Sequence, residues 1–296
     1  MMQLVTRNTA VLCALCAFAS AAHSDEVAWR GMGEVIAASS ATDWRDIEPG
    51  NTLYVELNHG TVVLELAPQF APRHIDNLRK LIAAGHFRDA AIVRSQDNYV
   101  VQWNADGPFG EAADKLKPEF YRDAEGLAFT SLESNDAYAD EVGFVDGFPV
   151  GRDSADGRAW LAHCYGMLGA GRANDVDSGN AAELYVVTGH APRHLDRNVT
   201  LMGRVIFGIE HLSSLPRGTG PLGFYEKESE NVPIRSMRFG SDYDAAWQAL
   251  RTDTETFKAL VESRRYRNEE WFADPAGKIE LCNVPLPVRR VETTRP

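Results

Sequence analysis

The chain has 296 residues and a mass of 32.7 kDa, 44% hydrophobic and 24% charged, enough apolar content for a packed core and too much for a disordered chain. A formal charge of −12 argues against a general nucleic-acid binder, because phosphate contacts need clustered Lys and Arg. Four cysteines, 24 glycines and 14 prolines exclude a disulfide-dense scaffold and collagen-like repeats, and the length allows one large domain or two ordinary ones.

Residues 1–24 place one positive charge, Arg7, ahead of an apolar run from Ala10 to Ala19, with small-residue cleavage sites at Ala21 and Ser24. This is the order of a secretory signal peptide. The run of about ten residues is half of the roughly 20 that a transmembrane helix needs. Cys13 and Cys16 each follow a leucine, where a lipoprotein signal has a small residue. The expectation is an exported, soluble protein with no membrane anchor. Removing residues 1–24 takes away Arg7 and no other charge, moving −12 to −13 over the 272 residues that stay. It leaves only Cys164 and Cys282. In an oxidising compartment two cysteines suggest one disulfide; the alternative is two buried free thiols.

Residues 25–50 are mixed and polar and read as an N-terminal leader ending at Pro49-Gly50. Leu53, Val55 and Leu57 then alternate with Tyr54 and Glu56, and Val62, Leu64 and Leu66 alternate with Val63 and Glu65, around a turn at Asn58-His59-Gly60; this is a β-hairpin pattern. Pro72 stands at a first helical turn, Ile75, Leu78 and Ile82 follow at helical spacing, and Gly85 sits at a C-cap, giving a helix over 71–84. Strand character recurs at 91–93, 99–102, 165–168, 184–188, 201–206 and 234–239, with a short helix at 209–215. Residues 105–160 show no sustained period. Many short strands with two helices read as a β-barrel with helical plugs. Beyond residue 240, Thr252-Asp253-Thr254-Glu255 suggests a capping box before a helix, and Pro275, Pro285 and Pro287 force an extended tail. Residues 241–296 therefore read as a C-terminal extension rather than a second domain.

The segments GTVVLELAPQFAPRHIDNLRKL (60–81), VRSQDNYVVQW (93–103), GMLGAGRAND (166–175), AELYVVTG (182–189) and HLDRNVTLMGRV (194–205) occur in the order found in cyclophilin-type peptidyl-prolyl isomerases, and over residues 51–240 the chain resembles that family. The resemblance implies a mainly β fold: a closed eight-stranded barrel capped by two α-helices, here with a loop insertion at about 121–165 and a helical and extended appendage. It implies an isomerase of X–Pro bonds, with no cofactor and no metal. By the resemblance Arg94 falls on the catalytic arginine, and Tyr99 and Val100 fall where the family has Phe and Met in the proline pocket. Gln102 matches the glutamine that holds the substrate backbone, and Gly171, Arg172 and Ala173 match the strand that pairs with the peptide. Tyr185 replaces a Phe on the pocket floor, and Glu183 replaces a Gln. His194 stands where a Trp is common, with the matching Leu195 beside it, and Val199 replaces a His or Tyr.

These residue types suit the chemistry. Rotation about a peptide bond meets a barrier of roughly 18–20 kcal/mol, and uncatalysed X–Pro isomerisation takes tens to hundreds of seconds. A guanidinium donating to the prolyl nitrogen stabilises the lone pair that exists only in the twisted state, so it accelerates the step without proton transfer. Outside the resemblance, an isolated arginine is usually a surface ion-pair partner. Glu183 reads either as a solvated carboxylate or as a partner of Arg94. The letters GxGxxG at 218–223 lack a preceding strand, and His190 and His194 have Pro192 between them, which spoils a helical metal-ligand spacing. A Cys164–Cys282 bridge would staple the tail to the barrel. The expectation is a monomeric periplasmic isomerase acting on proline-containing polypeptides during the folding of exported proteins. The alternative is a proline-peptide binding module or holdase with little turnover.

Overall fold

The computed structural model describes residues 31–291, so the expected signal peptide at 1–24 lies outside the described residues. The segment read as a leader contributes two elements, helix α1 (Met32–Ala37) and strand β1 (Trp44–Ile47), with Val35, Trp44 and Ile47 buried. The expected hairpin follows as β2 (Thr52–Leu57) and β3 (Gly60–Leu66). Helix α2 (Pro72–Ala83) begins at a proline whose missing N–H would have had no helical partner. Ala71 has no side chain to cap it. Glu119, far along the chain, does so instead: its carboxylate accepts from the backbone N–H of Arg73 (3.1 Å) and His74 (3.0 Å). Gly85, at φ +78°, ends the helix as expected.

Strands β4 (Ala91–Ser95) and β5 (Val100–Asn104) form the next hairpin, with Asn98 in its turn at φ +50°. The insertion comes next, and it is not an irregular loop. It folds into β6 (Arg122–Asp123), β7 (Thr130–Ser131), β8 (Glu141–Val145), β9 (Phe148–Asp153) and β10 (Arg158–Leu161), an antiparallel sheet of order β6–β10–β9–β8–β7. Successive residues of β8, β9 and β10 are buried, so both faces are covered and the polar alternation that marks a half-buried strand is lost.

Strands β11 (Met167–Ala170), β12 (Leu184–Val187) and β13 (Leu201–Phe207), the short helix α3 (Glu210–Ser213) and strand β14 (Val232–Phe239) complete the barrel. Its order is β11–β12–β5–β4–β14–β2–β3–β13, closed by pairing of β13 with β11. Leu53, Val55, Leu64, Trp103 and Leu184 pack in its core, and α2 and α3 add Ile75, Leu78 and Leu212 as the two expected plugs.

The tail adds β15 (Ala246–Leu250), α4 (Glu255–Tyr266) and β16 (Val288–Val291). The N-cap of α4 is Thr254, whose Oγ1 accepts from the Phe257 N–H at 3.2 Å. The expected box had started two residues earlier, but Thr252 is buried and accepts from the Gly147 N–H instead. β15 pairs with β1 on one side and β16 on the other, so leader and tail build one sheet. A second apolar cluster joins Trp44, Phe144, Phe148, Phe257, Leu260 and Leu281 to Met167, Tyr185 and Val187 of the barrel. Insertion, leader and tail thus share a core laid against the outer wall of the barrel. The Cys164–Cys282 disulfide lies in that cluster, Cα–Cα 5.0 Å, tying residue 164 at the end of the insertion to the tail.

Candidate active site

Strand periodicity decides what faces outward. In β5, Val101 and Trp103 point into the barrel, so Val100 and Gln102 point out. In β12, Leu184 and Val186 point in and Tyr185 points out. The register then sets a row across three strands: Arg94 of β4 lies opposite Gln102 of β5, and Gln102 lies opposite Tyr185 of β12. Sequence-distant residues become neighbours because antiparallel partners sit about 5 Å apart. The row forms the floor of a groove of about 710 Å³.

Arg94 is half-buried and well held. Its Nε donates to the Leu222 carbonyl (2.7 Å), its Nη1 to Gln102 Oε1 (2.9 Å), and its Nη2 to Gln96 Oε1. Three of its five N–H donors are engaged, and two are left for a substrate. The rings of Tyr99 and Phe224 lie 5.7 and 5.4 Å from its guanidinium carbon, a cation–π clamp. Burial pushes the Arg94 pKa below its ordinary value, yet a guanidinium stays charged at any physiological pH. Burial likewise pushes the Tyr99 phenol up, so it stays neutral.

Gln102 is oriented from both sides, accepting from Arg94 and donating through Nε2 to Glu183 Oε2 at 3.0 Å. Of the two readings of Glu183, the direct pair with Arg94 is not formed: Gln102 stands between them, and Glu183 is exposed. Gly171, Arg172 and Ala173 line the groove beyond β11. The Arg172 guanidinium turns back to the carbonyls of Asn198 (2.8 Å) and Ala173 (2.8 Å). Leu195 and Val199 also line the groove, together with Tyr99, Val100 and Glu183. His194 does not. It is exposed and lies face to face with the Tyr99 ring, centroids 6.0 Å apart and 11° between planes.

Tyr185 lines the groove but is 5% exposed. It fits against the barrel because its neighbour in β11 is Gly169: a Cβ there would lie 2.2 Å from Tyr185 Cζ. Its hydroxyl reaches His163 Nε2 at 2.9 Å, on the insertion side, and burial pushes the phenol pKa up.

Four groove residues escaped the sequence reading: Gln96, Asn174, Leu222 and Phe224. Leu222 belongs to the 218–223 segment that carries the GxGxxG letters. The structure agrees that no strand precedes that segment, and it folds residues 221–223 as a short 3₁₀ turn. Phe224 forms a β-bridge with Arg94. Among the described residues no group of three His, Cys, Asp or Glu could hold a metal ion.

A fixed cation beside an apolar slot, with an oriented amide next to it, can stabilise charge that develops on a twisted amide nitrogen. A sequence model of the cyclophilin type peptidyl-prolyl cis-trans isomerase/CLD family matches residues 52–239. A probable peptidyl-prolyl cis-trans isomerase of Brucella suis is 23% identical over 205 residues, 69% of this chain and 84% of that protein. The Arabidopsis thaliana peptidyl-prolyl cis-trans isomerase CYP23 is 24% identical over 209 residues, 70% of this chain and 78% of that protein. The crystal structure of cyclophilin AquaCyp293 from Hirschia baltica superposes with a TM-score of 0.69 at 22% identity, covering 85% of this chain and 95% of that one. With a closed eight-stranded barrel, an Arg–Gln–Tyr row on its wall and a family match over most of its length, the chain belongs to the cyclophilin-type peptidyl-prolyl cis-trans isomerases.

Proposed function

We propose that Arg94 is the catalytic group of this isomerase, acting on X–Pro bonds of exported proteins as they fold in the periplasm. The observation that supports this reading most is the Arg94–Gln102–Tyr185 row, because it sets two uncommitted guanidinium donors beside an apolar slot. Tyr99, Val100, Tyr185 and Leu195 take the proline ring. Gln102 and the backbone at Gly171–Ala173 keep the peptide extended while the preceding carbonyl swings. Export is supported by the signal-like order of residues 1–24 and by a disulfide of the kind that persists in oxidising compartments. The protein acts as a monomer without a cofactor.

A second reading, a proline-peptide binder or holdase, is favoured by one feature: Arg94 is already tied to three acceptors. A protease-coupled proline isomerisation assay separates the two. Arg94→Ala is expected to lower kcat/KM by about a hundredfold or more, the scale of deleting one transition-state donor, with peptide binding largely kept. Equal rates in wild type and variant would remove Arg94 as catalyst. Background turnover in both, with binding intact, would favour the binder.

A further inference from the structure

Tyr185 raises a chemical problem. A phenol on the floor of a slot for an apolar ring carries a hydroxyl that must be paired or else costs stability and affinity. The hydroxyl is paired, and its partner comes from the insertion. His163 has a fully buried side chain. Its Nε2 lies 2.9 Å from the Tyr185 hydroxyl, within hydrogen-bond distance, and the two ring planes are nearly parallel, 9° apart.

The other side of the imidazole is fixed. Asp196 Oδ1 lies 2.9 Å from His163 Nδ1 and also accepts the His163 backbone N–H at 2.9 Å. Asp196 Oδ2 accepts from Arg193 Nε (2.6 Å) and Trp160 Nε1 (3.3 Å). Arg193 in turn is bidentate on Asp136, at 2.8 and 2.9 Å. Asp196 is therefore held as a carboxylate, which can only accept, so Nδ1 carries the imidazole proton. Nε2 is left with a lone pair, and the Tyr185 O–H donates to it. Burial keeps His163 neutral. His163, Trp160 and Asp136 all belong to the insertion.

Resting on the isomerase site described above, we infer that His163 is a positioning residue for it: the insertion supplies an acceptor that holds the Tyr185 hydroxyl out of the proline pocket, so that substrate meets only the phenol ring. The insertion thus completes the site without entering it. Without that acceptor the hydroxyl turns toward the slot, and the floor loses both its apolar character and its fixed ring.

The test is a double-mutant cycle in the protease-coupled assay, run on the full disulfide-bonded chain. His163→Leu removes the acceptor with little change in volume. In the wild-type background it is expected to lower kcat/KM about tenfold, mainly through KM, because ring binding is what suffers. In a Tyr185→Phe background, whatever its own rate, the same substitution is expected to change kcat/KM less than twofold. Equal losses in both backgrounds would overturn the inference, since they would mean that His163 only supports the fold. Absent turnover in the wild type would instead count against the isomerase reading, so the two failures are distinguishable. If His163→Leu does not fold, ¹⁵N-histidine NMR of the wild type decides the matter. His163 Nε2 is expected to show the shift of an unprotonated, hydrogen-bonded nitrogen, and a protonated Nε2 would overturn the assignment.

Discussion

Arg94, Gln102 and Tyr185 show how much a single residue's meaning depends on its neighbours. Arg94 was legible because its segment resembles a family signature; by itself an arginine says little. Tyr185 was legible as a pocket residue, but the fate of its hydroxyl was not, because His163 is 22 residues away, in a part of the insertion that no expected element covers. The same network makes the fold sensitive to acid. The His163 pKa is lowered chiefly by burial. Below about pH 6.5 the unfolded chain takes up that proton and the folded chain resists it, so the unfolded state binds more protons and stability falls as pH drops. Asp196 acts in the same direction further down. Burial works to raise its pKa, but the His163 hydrogen bond and the Arg193 charge outweigh it and the net shift is downward. Its contribution is complete above about pH 4 and is lost as pH falls through its folded value. Urea midpoints are expected to fall between pH 7.5 and 5.5 and to fall further toward pH 4; a flat profile would contradict this.

At the scale of elements, the readable parts were those with one face in the core and one outside it. The β2–β3 hairpin and α2 match their expected spans within a residue or two. The insertion was not readable because β8, β9 and β10 are covered on both faces and carry Gly143, Pro149 and Gly151. One local signal was nevertheless present. Asp146-Gly147, with φ of 48° and 80°, is the two-residue turn that joins β8 to β9. The start of α2 illustrates a different limit: its cap, Glu119, comes from 45 residues away and no local rule reveals it. Its carboxylate also meets His74 Nδ1 at 2.6 Å. Glu119→Ala is expected to destabilise the protein by about 1–2 kcal/mol, the upper range for losing an N-cap, and to speed amide exchange in the first turn of α2. Unchanged exchange there would show that the helix start is held by something else.

For the whole molecule, the appendages behave as one body with the barrel. The buried cluster runs from Trp44 through Phe148 and Phe257 to Tyr185, so residues outside the family match help to build the wall behind the site. No described helix is long and apolar enough to cross a membrane. The disulfide spans 118 residues, and in the chain-entropy model closing such a loop stabilises by about 4–5 kcal/mol. Cys164→Ser/Cys282→Ser is expected to lower the unfolding free energy by up to that amount, measured by urea titration; a loss below about 1 kcal/mol would mean that the packed tail alone suffices. The bond also sets a path for force. Under tension applied to residues on either side, load passes from residue 164 directly to residue 282 and bypasses everything between. That segment holds four of the eight barrel strands, β11 to β14. At roughly 3.4 Å per extended residue, some 400 Å of contour length stays out of the stretched chain until the sulfurs are reduced, so half of the barrel wall is mechanically shielded by one covalent bond.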